Sequence, residues 1–325
     1  MINTMILGLA APLRGEGLFP CHDIGPRQRA PRLALVADIQ GNELNGMFVL
    51  SRLATFLRSI GAGERRGLRL RERVVLIPTT NTLDARDAGA RRLAVARARA
   101  ETGCRRATED TVIEAVMAMT RAAYYRVDIH PTSFDVEEMP QVRLYAPNDD
   151  ERATACLFGL PAVIERPIEG AEPSLVRAWR RRGGENFVIH AGQAGSLQTR
   201  HCETLFRALV AFLDRTGIVG GLNPTEEEEE LRYFGLRQVF VVMAQQSGIF
   251  SSRLDVGRWI RVGEELGQIY DSFSGGVRAR VVAPVAGLLA SLRRQPLLYK
   301  GDLVARILIP DNAAGREPMV AWGAT

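Results

Sequence analysis

Two kinds of periodicity divide the chain. Up to about residue 220, short continuous apolar runs alternate with stretches in which apolar residues recur every three or four positions. The runs are Leu33-Ala34-Leu35-Val36-Ala37, Val74-Val75-Leu76-Ile77, Pro161-Ala162-Val163-Ile164 and Phe187-Val188-Ile189 before His190, and Arg126-Val127-Asp128-Ile129-His130 reads as a further strand. Runs of this length mark strands buried on both faces. Between them, Met47, Leu50, Leu53, Ala54, Leu57 and Ile60 fall on one helical stripe. Leu205, Leu209, Phe212 and Leu213 form another, with Gly217 as a C-terminal stop. Thr111-Val112-Ile113-Glu114 has the spacing of a capping box, and Val116, Met117 and Ala123 continue that helix. The alternation predicts an α/β fold: a mostly parallel or mixed sheet with helices on both faces.

The pattern changes at Asn223-Pro224-Thr225 and the acidic run Glu226 to Glu230, which reads as a solvated linker or helix start. Beyond it the helical period disappears. Val239 to Met243, Leu266 to Ile269 and Val281 to Pro284 are short strand-like segments. Glycines at 248, 257, 263, 267, 275, 276, 287 and 301 punctuate them. The expected division is an α/β domain over 1–222 and a small all-β domain of barrel or hairpin type over 223–325.

Composition excludes several classes. The 325 residues are 46% hydrophobic and 24% charged, which is ordinary for a globular protein and unlike a disordered, collagen-like or coiled-coil chain. No run approaches 18 apolar residues, so no membrane span is expected. The first ten residues lack the basic n-region of a signal peptide, and the expected location is the cytoplasm. Lys300 is the only lysine among 42 basic residues, and the net charge is +5. The densest basic cluster, Arg180-Arg181-Arg182 with Arg177, has no interleaved aromatics besides Trp179. It reads as a solvated face, with no nucleic-acid partner. Cys21, Cys104, Cys156 and Cys202 contain no CxxC pair, which excludes a zinc ribbon and a dithiol redox site.

In open α/β sheets, sites form at the carboxyl ends of the strands. Gln40 and Glu43 lie in the Gly-bracketed turn after the first buried run, and His130 and His190 each end a later one. A carboxylate and two imidazoles are suitable ligand types for zinc. Nothing local forces them together; taken singly, each histidine reads more simply as a hydrogen-bonded structural residue.

The order of these segments resembles the succinylglutamate desuccinylase/aspartoacylase family of zinc-dependent amide hydrolases. That resemblance implies a carboxypeptidase A-like domain followed by a small β domain. Gln40-Gly41-Asn42-Glu43-Leu44-Asn45-Gly46 is similar to the family's His-Gly-x-Glu-x-x-Gly, source of two zinc ligands. Asp128-Ile129-His130 is similar to its Asp-Leu-His, source of the third. By the same resemblance, Asn81 and the segment Ala88-Gly89-Ala90-Arg91 would orient substrate. Arg105 and Arg106 stand where an Asn-Arg pair grips a substrate carboxylate. Ile189-His190-Ala191-Gly192 stands where the general-base glutamate precedes a glycine-rich turn. Ala283-Pro284-Val285-Ala286-Gly287 and Lys300-Gly301-Asp302 resemble the family's β domain.

Three positions depart from the pattern. Gln40 replaces a zinc-binding histidine, His190 replaces the base, and Arg105 replaces the asparagine. Two readings follow. In one, zinc is retained, held by Glu43, His130 and a rearranged His190, or weakly by Glu43, His130 and Gln40 if His190 stays unligated. Unligated, His190 is a base of suitable pKa. Asp128 would support from behind. The chain would then be a deacylase for an N-acylated amino acid or a related small anionic amide, with Arg91, Arg105, Arg106 and Asn81 binding substrate. In the other, metal and catalysis are lost, and the cleft binds a ligand or a protein partner. The β domain resembles a lipoyl or biotinyl carrier, but Lys300 is misplaced for a swinging arm. A role in shaping the cleft entrance or a homo-oligomer contact is expected instead.

Overall fold

A computed structural model of the chain describes residues 4–9, 17–37, 39, 43–80, 112–131, 133–166, 173–222 and 232–310. Gln40, Asn81, Arg91, Cys104, Arg105, Arg106, Thr111 and the run Glu226 to Glu230 lie outside them.

The apolar runs form the centre of one large sheet. Strands β1 (Thr4–Leu9) and β2 (Gly17–Ile24) pair antiparallel at its edge. Then come β3 (Pro31–Ala37), helix α1 (Leu44–Gly61), the short β4 (Arg69–Leu70) and β5 (Arg73–Ile77). Helix α2 covers 112–120, followed by β6 (Tyr125–His130) and β7 (Val136–Tyr145). Helix α3 (Asp149–Ala155), β8 (Ala162–Arg166), helix α4 (Ser174–Arg180), β9 (Glu185–Gly192) and helix α5 (Thr199–Arg215) complete this part. The order across the sheet is β1-β2-β5-β3-β6-β9-β7. Strands β5, β3, β6 and β9 run parallel, and β7 runs antiparallel to β9.

Both faces are covered, as the continuous apolar runs require. On one side, Val49, Leu50, Leu53 and Leu57 of α1 pack with Leu205, Leu209 and Phe212 of α5 against Leu35, Val127 and Ile189. The Phe158 and Phe212 rings stack there at 4.1 Å. On the other side, Val116 of α2 and Leu175 and Trp179 of α4 cover Ala34, Val36 and Val188. Trp179 is fully buried, and its Nε1 donates to Thr120 Oγ1 at 2.8 Å, so its polar edge is satisfied. Helix α5 stops at Gly217, whose φ of +70° closes the turn. The buried thiol of Cys21 is pushed up to about 12, by burial and by the Asp23 charge, which outweigh the opposing Arg73.

The C-terminal part is all β. After β10 (Val219–Gly220), which pairs with β4, come β11 (Arg232–Phe234), β12 (Val239–Met243), β13 (Gly248–Ser251) and β14 (Trp259–Ile260). Strands β15 (Glu265–Tyr270), β16 (Val277–Val282), β17 (Gly287–Arg293), β18 (Leu297–Leu298) and β19 (Leu303–Leu308) follow. Strands β16, β15, β13 and β18 make a separate antiparallel sheet. In contrast, β17, β19 and β12 extend the large sheet, because β17 pairs with the first residues of β7. Strand β11 pairs parallel with β8. The module has its own core of Phe250, Leu266, Leu289, Val304 and Ile307.

Strand β7 is the joint, and the sequence pattern does not mark it. Its ten residues, Val-Glu-Glu-Met-Pro-Gln-Val-Arg-Leu-Tyr, are all buried despite four charged or amide side chains. Glu138 pairs with Gly192 and Gln141 with His190, so three steps on β7 match two on β9. This bulge falls at Met139-Pro140, where proline could donate no ladder hydrogen bond. It also brings Glu138 onto the same face as Gln141 and Arg143, which an unbroken period of two would not.

Among the described residues, no helix is long and apolar enough to cross a membrane.

Candidate active site

The carboxyl ends of β3, β6 and β9 bring Glu43, His130 and His190 to one edge. Glu43 occupies the N-cap position of α1, yet its carboxylate makes no capping hydrogen bond to the helix. It reaches back instead. Oε2 accepts from the Ile39 amide at 3.2 Å, and Oε1 lies 2.9 Å from His130 Nδ1. The second nitrogen of the same ring, Nε2, is 2.7 Å from Asp128 Oδ2. Asp128 stands two residues earlier on β6 and therefore on the same face. Both carboxylates are buried, at 4% and 0% exposure. Burial alone would depress the His130 pKa. The Asp128 and Glu43 charges and their hydrogen bonds outweigh it and hold the ring well above its ordinary value.

His190 is the direct cross-strand neighbour of His130, with ring centroids 6.1 Å apart. Its surroundings differ. Arg143 Nη1 faces Nε2 at 3.4 Å, which makes Nε2 the acceptor and leaves the proton on Nδ1. Nδ1 lies 3.4 Å from Glu138 Oε2 without a well-formed hydrogen bond. Burial and the Arg143 charge push the pKa down to about 3, against the pull of Glu138. The ring is neutral.

Glu138 is fully buried and anchors this second cluster. Arg143 Nη2 donates to both its oxygens at 2.6 and 2.7 Å, Arg306 Nη1 to Oε1 at 2.9 Å, and Gln141 Nε2 to Oε2 at 3.2 Å. Burial would raise its pKa, but Arg143, His190 and Arg306 together hold it far below the usual carboxylate range. Arg306 comes from the C-terminal module. Glu138, Ser291 and Arg306 occupy one row across β7, β17 and β19, and Arg306 reaches over the small Ser291.

An amide clasp fixes the relative positions of the two clusters. Asn45, in the first turn of α1, donates to Gln198 Oε1 at 3.0 Å and to Ala191 O at 3.3 Å. Its own Oδ1 accepts from the Gln198 amide at 2.8 Å. Gln198 Oε1 also accepts from the Gln193 amide. The turn carrying Glu43 is thereby tied to the end of the strand carrying His190.

Glu43 Oε1 and His130 Nδ1 are of the right chemical type to share one divalent ion, with Asp128 as the outer partner of the histidine. His190 does not join them, since its nitrogens face Arg143 and Glu138. Among the described residues, no group of three or more His, Cys, Asp or Glu side chains is arranged to hold a metal ion. A third donor would have to come from elsewhere, and Gln40 lies outside the described residues, as do Asn81, Arg91, Arg105 and Arg106.

Sequence reading named Glu43, His130, His190 and Asp128; the structure joins Glu43, His130 and Asp128 and places His190 in the neighbouring cluster. Sequence reading missed Glu138, Arg143, Gln141 and Arg306. The one available signal was Glu137-Glu138 followed by Gln141 and Arg143 in a segment otherwise rich in strand formers.

No protein-family model and no curated protein matches the chain. Solved structures do. A succinylglutamate desuccinylase/aspartoacylase from Rhodobacter sphaeroides superposes with a TM-score of 0.68 at 16% identity, covering 95% of each chain. The product-bound ectoine utilization protein EutE (DoeB) from Ruegeria pomeroyi gives 0.65 at 17% identity, covering 95% of this chain and 94% of that one. A putative succinylglutamate desuccinylase/aspartoacylase from Shewanella frigidimarina gives 0.66 at 14% identity, covering 95% and 98%. At these identities the likeness establishes the fold: a mixed sheet with helices on both faces and a C-terminal β module, as in the desuccinylase/aspartoacylase proteins.

Proposed function

We propose that the chain is a metal-dependent amide hydrolase, a deacylase acting on an N-acylated amino acid or a related small anionic amide in the cytoplasm. The observation that carries this reading is the Asp128–His130–Glu43 relay at the sheet's carboxyl edge, with His130 Nδ1 and Glu43 Oε1 2.9 Å apart. A shared carboxylate–imidazole pair, backed by a second carboxylate, is an arrangement that metal hydrolases use. Glu43 and His130 would hold zinc, with Gln40 as a neutral third donor, so the ion would be weakly held. When bound, such an ion polarises the amide carbonyl and lowers the pKa of a coordinated water.

The protein's own groups supply the rest. Asp128 orients the His130 ring. His190 offers a neutral imidazole whose Nε2 lone pair is engaged by Arg143. With its pKa pushed down to about 3, His190 is a weak base as it stands, unlike the base of suitable pKa expected from the sequence. Asn81, Arg91, Arg105 and Arg106 are the proposed substrate-orienting groups.

One observation favours a second reading, that of a non-catalytic subunit binding a small ligand, a protein partner or another copy of itself. His190 is committed to Arg143 and Glu138, leaving the relay with two donors among the described residues. Metal analysis of tag-free protein separates the two readings. Stoichiometric zinc, lost in His130→Ala, together with turnover of N-acyl amino acids, supports the hydrolase. Metal-free, well-folded protein without turnover supports the second reading. Activity appearing only in the double variant Gln40→His/His190→Glu would identify a decayed hydrolase site.

A further inference from the structure

Successive residues of a strand point to opposite faces, so Glu137 and Glu138 divide β7 between two environments. Glu138 joins His190 on the relay side. Glu137 faces α5, where its Oε1 lies 2.6 Å from His201 Nε2 and the Arg294 guanidinium holds its other oxygen. On this reverse face a cleft of about 270 Å³ opens between the first turns of α5 and the C-terminal module. That is just under the roughly 300–1,000 Å³ of small-molecule sites, and suits a single ring with a short polar arm.

The walls come from four elements. Met139 and Pro140 form the β7 bulge, Arg200 and His201 begin α5, Trp259 stands on β14 and Arg232 on β11. Two features point to a ligand. The first is Trp259. Its strand partner Leu288 is buried, yet Trp259 itself stays 44% exposed beside the cleft. Tryptophan is buried on average, and an exposed indole at a concave surface is a ready stacking platform. The Arg232 guanidinium lies 4.5 Å from the ring centroid and steadies it.

The second feature is charge. Arg200 lines the cleft with its side chain 78% exposed. It meets Asp255 at 3.4 Å, and that residue is 73% exposed and belongs to an adjoining depression along α5. A pair so long and so solvated holds Arg200 only loosely. Among the described residues, no acidic side chain lines the cleft. With His201 turned to Glu137, the guanidinium groups of Arg200 and Arg232 leave the lining positive.

We propose that this cleft binds a small aromatic anion, its ring against Trp259 and Met139 and its acidic group beside Arg200. Aromatic rings stack on indole, and thioether sulfur favours their edges. A guanidinium at the rim suits the anionic end. Strand β7 separates the cleft from the relay, so the site stands whether or not the relay hydrolyses anything.

The test is calorimetric titration of the full-length protein with three probes: phenylacetate, its uncharged analogue 2-phenylethanol, and acetate, which keeps the anion without the ring. Wild type should bind phenylacetate about tenfold more tightly than either of the others. Trp259→Ala should weaken phenylacetate about fivefold, and Trp259→Phe should keep most of the affinity. Arg200→Gln should weaken phenylacetate about threefold and leave 2-phenylethanol unchanged. Arg200 is largely solvated, so this variant remains folded, which thermal melting checks. His130→Ala should leave all three titrations as in wild type. Absence of phenylacetate binding, or equal affinity for the three probes, would overturn the proposal. So would binding that survives Trp259→Ala and Arg200→Gln but disappears in His130→Ala, because the ligand would then occupy the relay site.

Discussion

His130 and His190 sit side by side on adjacent parallel strands, yet one ring is held charged and the other neutral. Glu43 and Asp128 flank the first, and Arg143 confronts the second. Removing the Arg143 charge should let His190 take up a proton more readily. In Arg143→Gln, imidazole nitrogen resonances should report a His190 pKa well above 3. An unchanged titration would mean that burial alone sets it.

Glu138 should be the costliest single carboxylate to truncate. Glu138→Ala leaves Arg143 buried without its anion, and breaking such a pair costs about 3–5 kcal/mol. Urea unfolding should show that loss, with Glu138→Gln falling between the variant and wild type. A loss under about 1 kcal/mol would show the cluster relaxing into solvent.

A second buried carboxylate predicts acid sensitivity. Burial would raise the Glu137 pKa, but the hydrogen bond with His201 at 2.6 Å and the Arg294 guanidinium lower it overall. A lowered folded-state pKa contributes stability above the ordinary carboxylate value of 4.5. That contribution is lost as the pH falls from there through the folded value. Between pH 6 and pH 3, wild type should lose more stability than Glu137→Gln. Parallel pH profiles would contradict this.

Gly46 lets α1 approach the sheet. A Cβ there would lie 2.9 Å from Ala37 Cβ and 3.1 Å from Ile129 Cγ2. Gly46→Val should cost about 1–3 kcal/mol through overpacking. Because Gly46 is one turn from Glu43, the substitution should also lengthen the Glu43–His130 contact. A shifted His130 imidazole resonance along with a lower melting temperature would be the sign; an unchanged resonance would show that the relay tolerates a helix shift.

The parallel centre of the fold was legible because Leu33 to Ala37, Val74 to Ile77 and Phe187 to His190 are buried on both faces and carry the signature of it. Glu43, His130 and His190 were legible because strand ends are where α/β sites form. Strand β7 was not. Glu137 is buried against His201, and the locally paired group of Glu138, Gln141 and Arg143 against Arg306 and His190, all three partners remote in sequence. Local hydropathy cannot register compensation of that kind. Pro140, which can donate no ladder hydrogen bond, is accommodated by the bulge. Arg306 lies 168 residues from Glu138, and only the shared row through Ser291 joins them.

That shared row means the two halves of the chain are not separable parts. Cutting after residue 222 would strip β17 from Val136, Glu137 and Glu138, exposing an unpaired strand margin with a carboxylate deprived of one of its two cations. Such a margin invites edge-to-edge association. The amino-terminal fragment should therefore aggregate when expressed alone, and co-expression of the missing strands should rescue it.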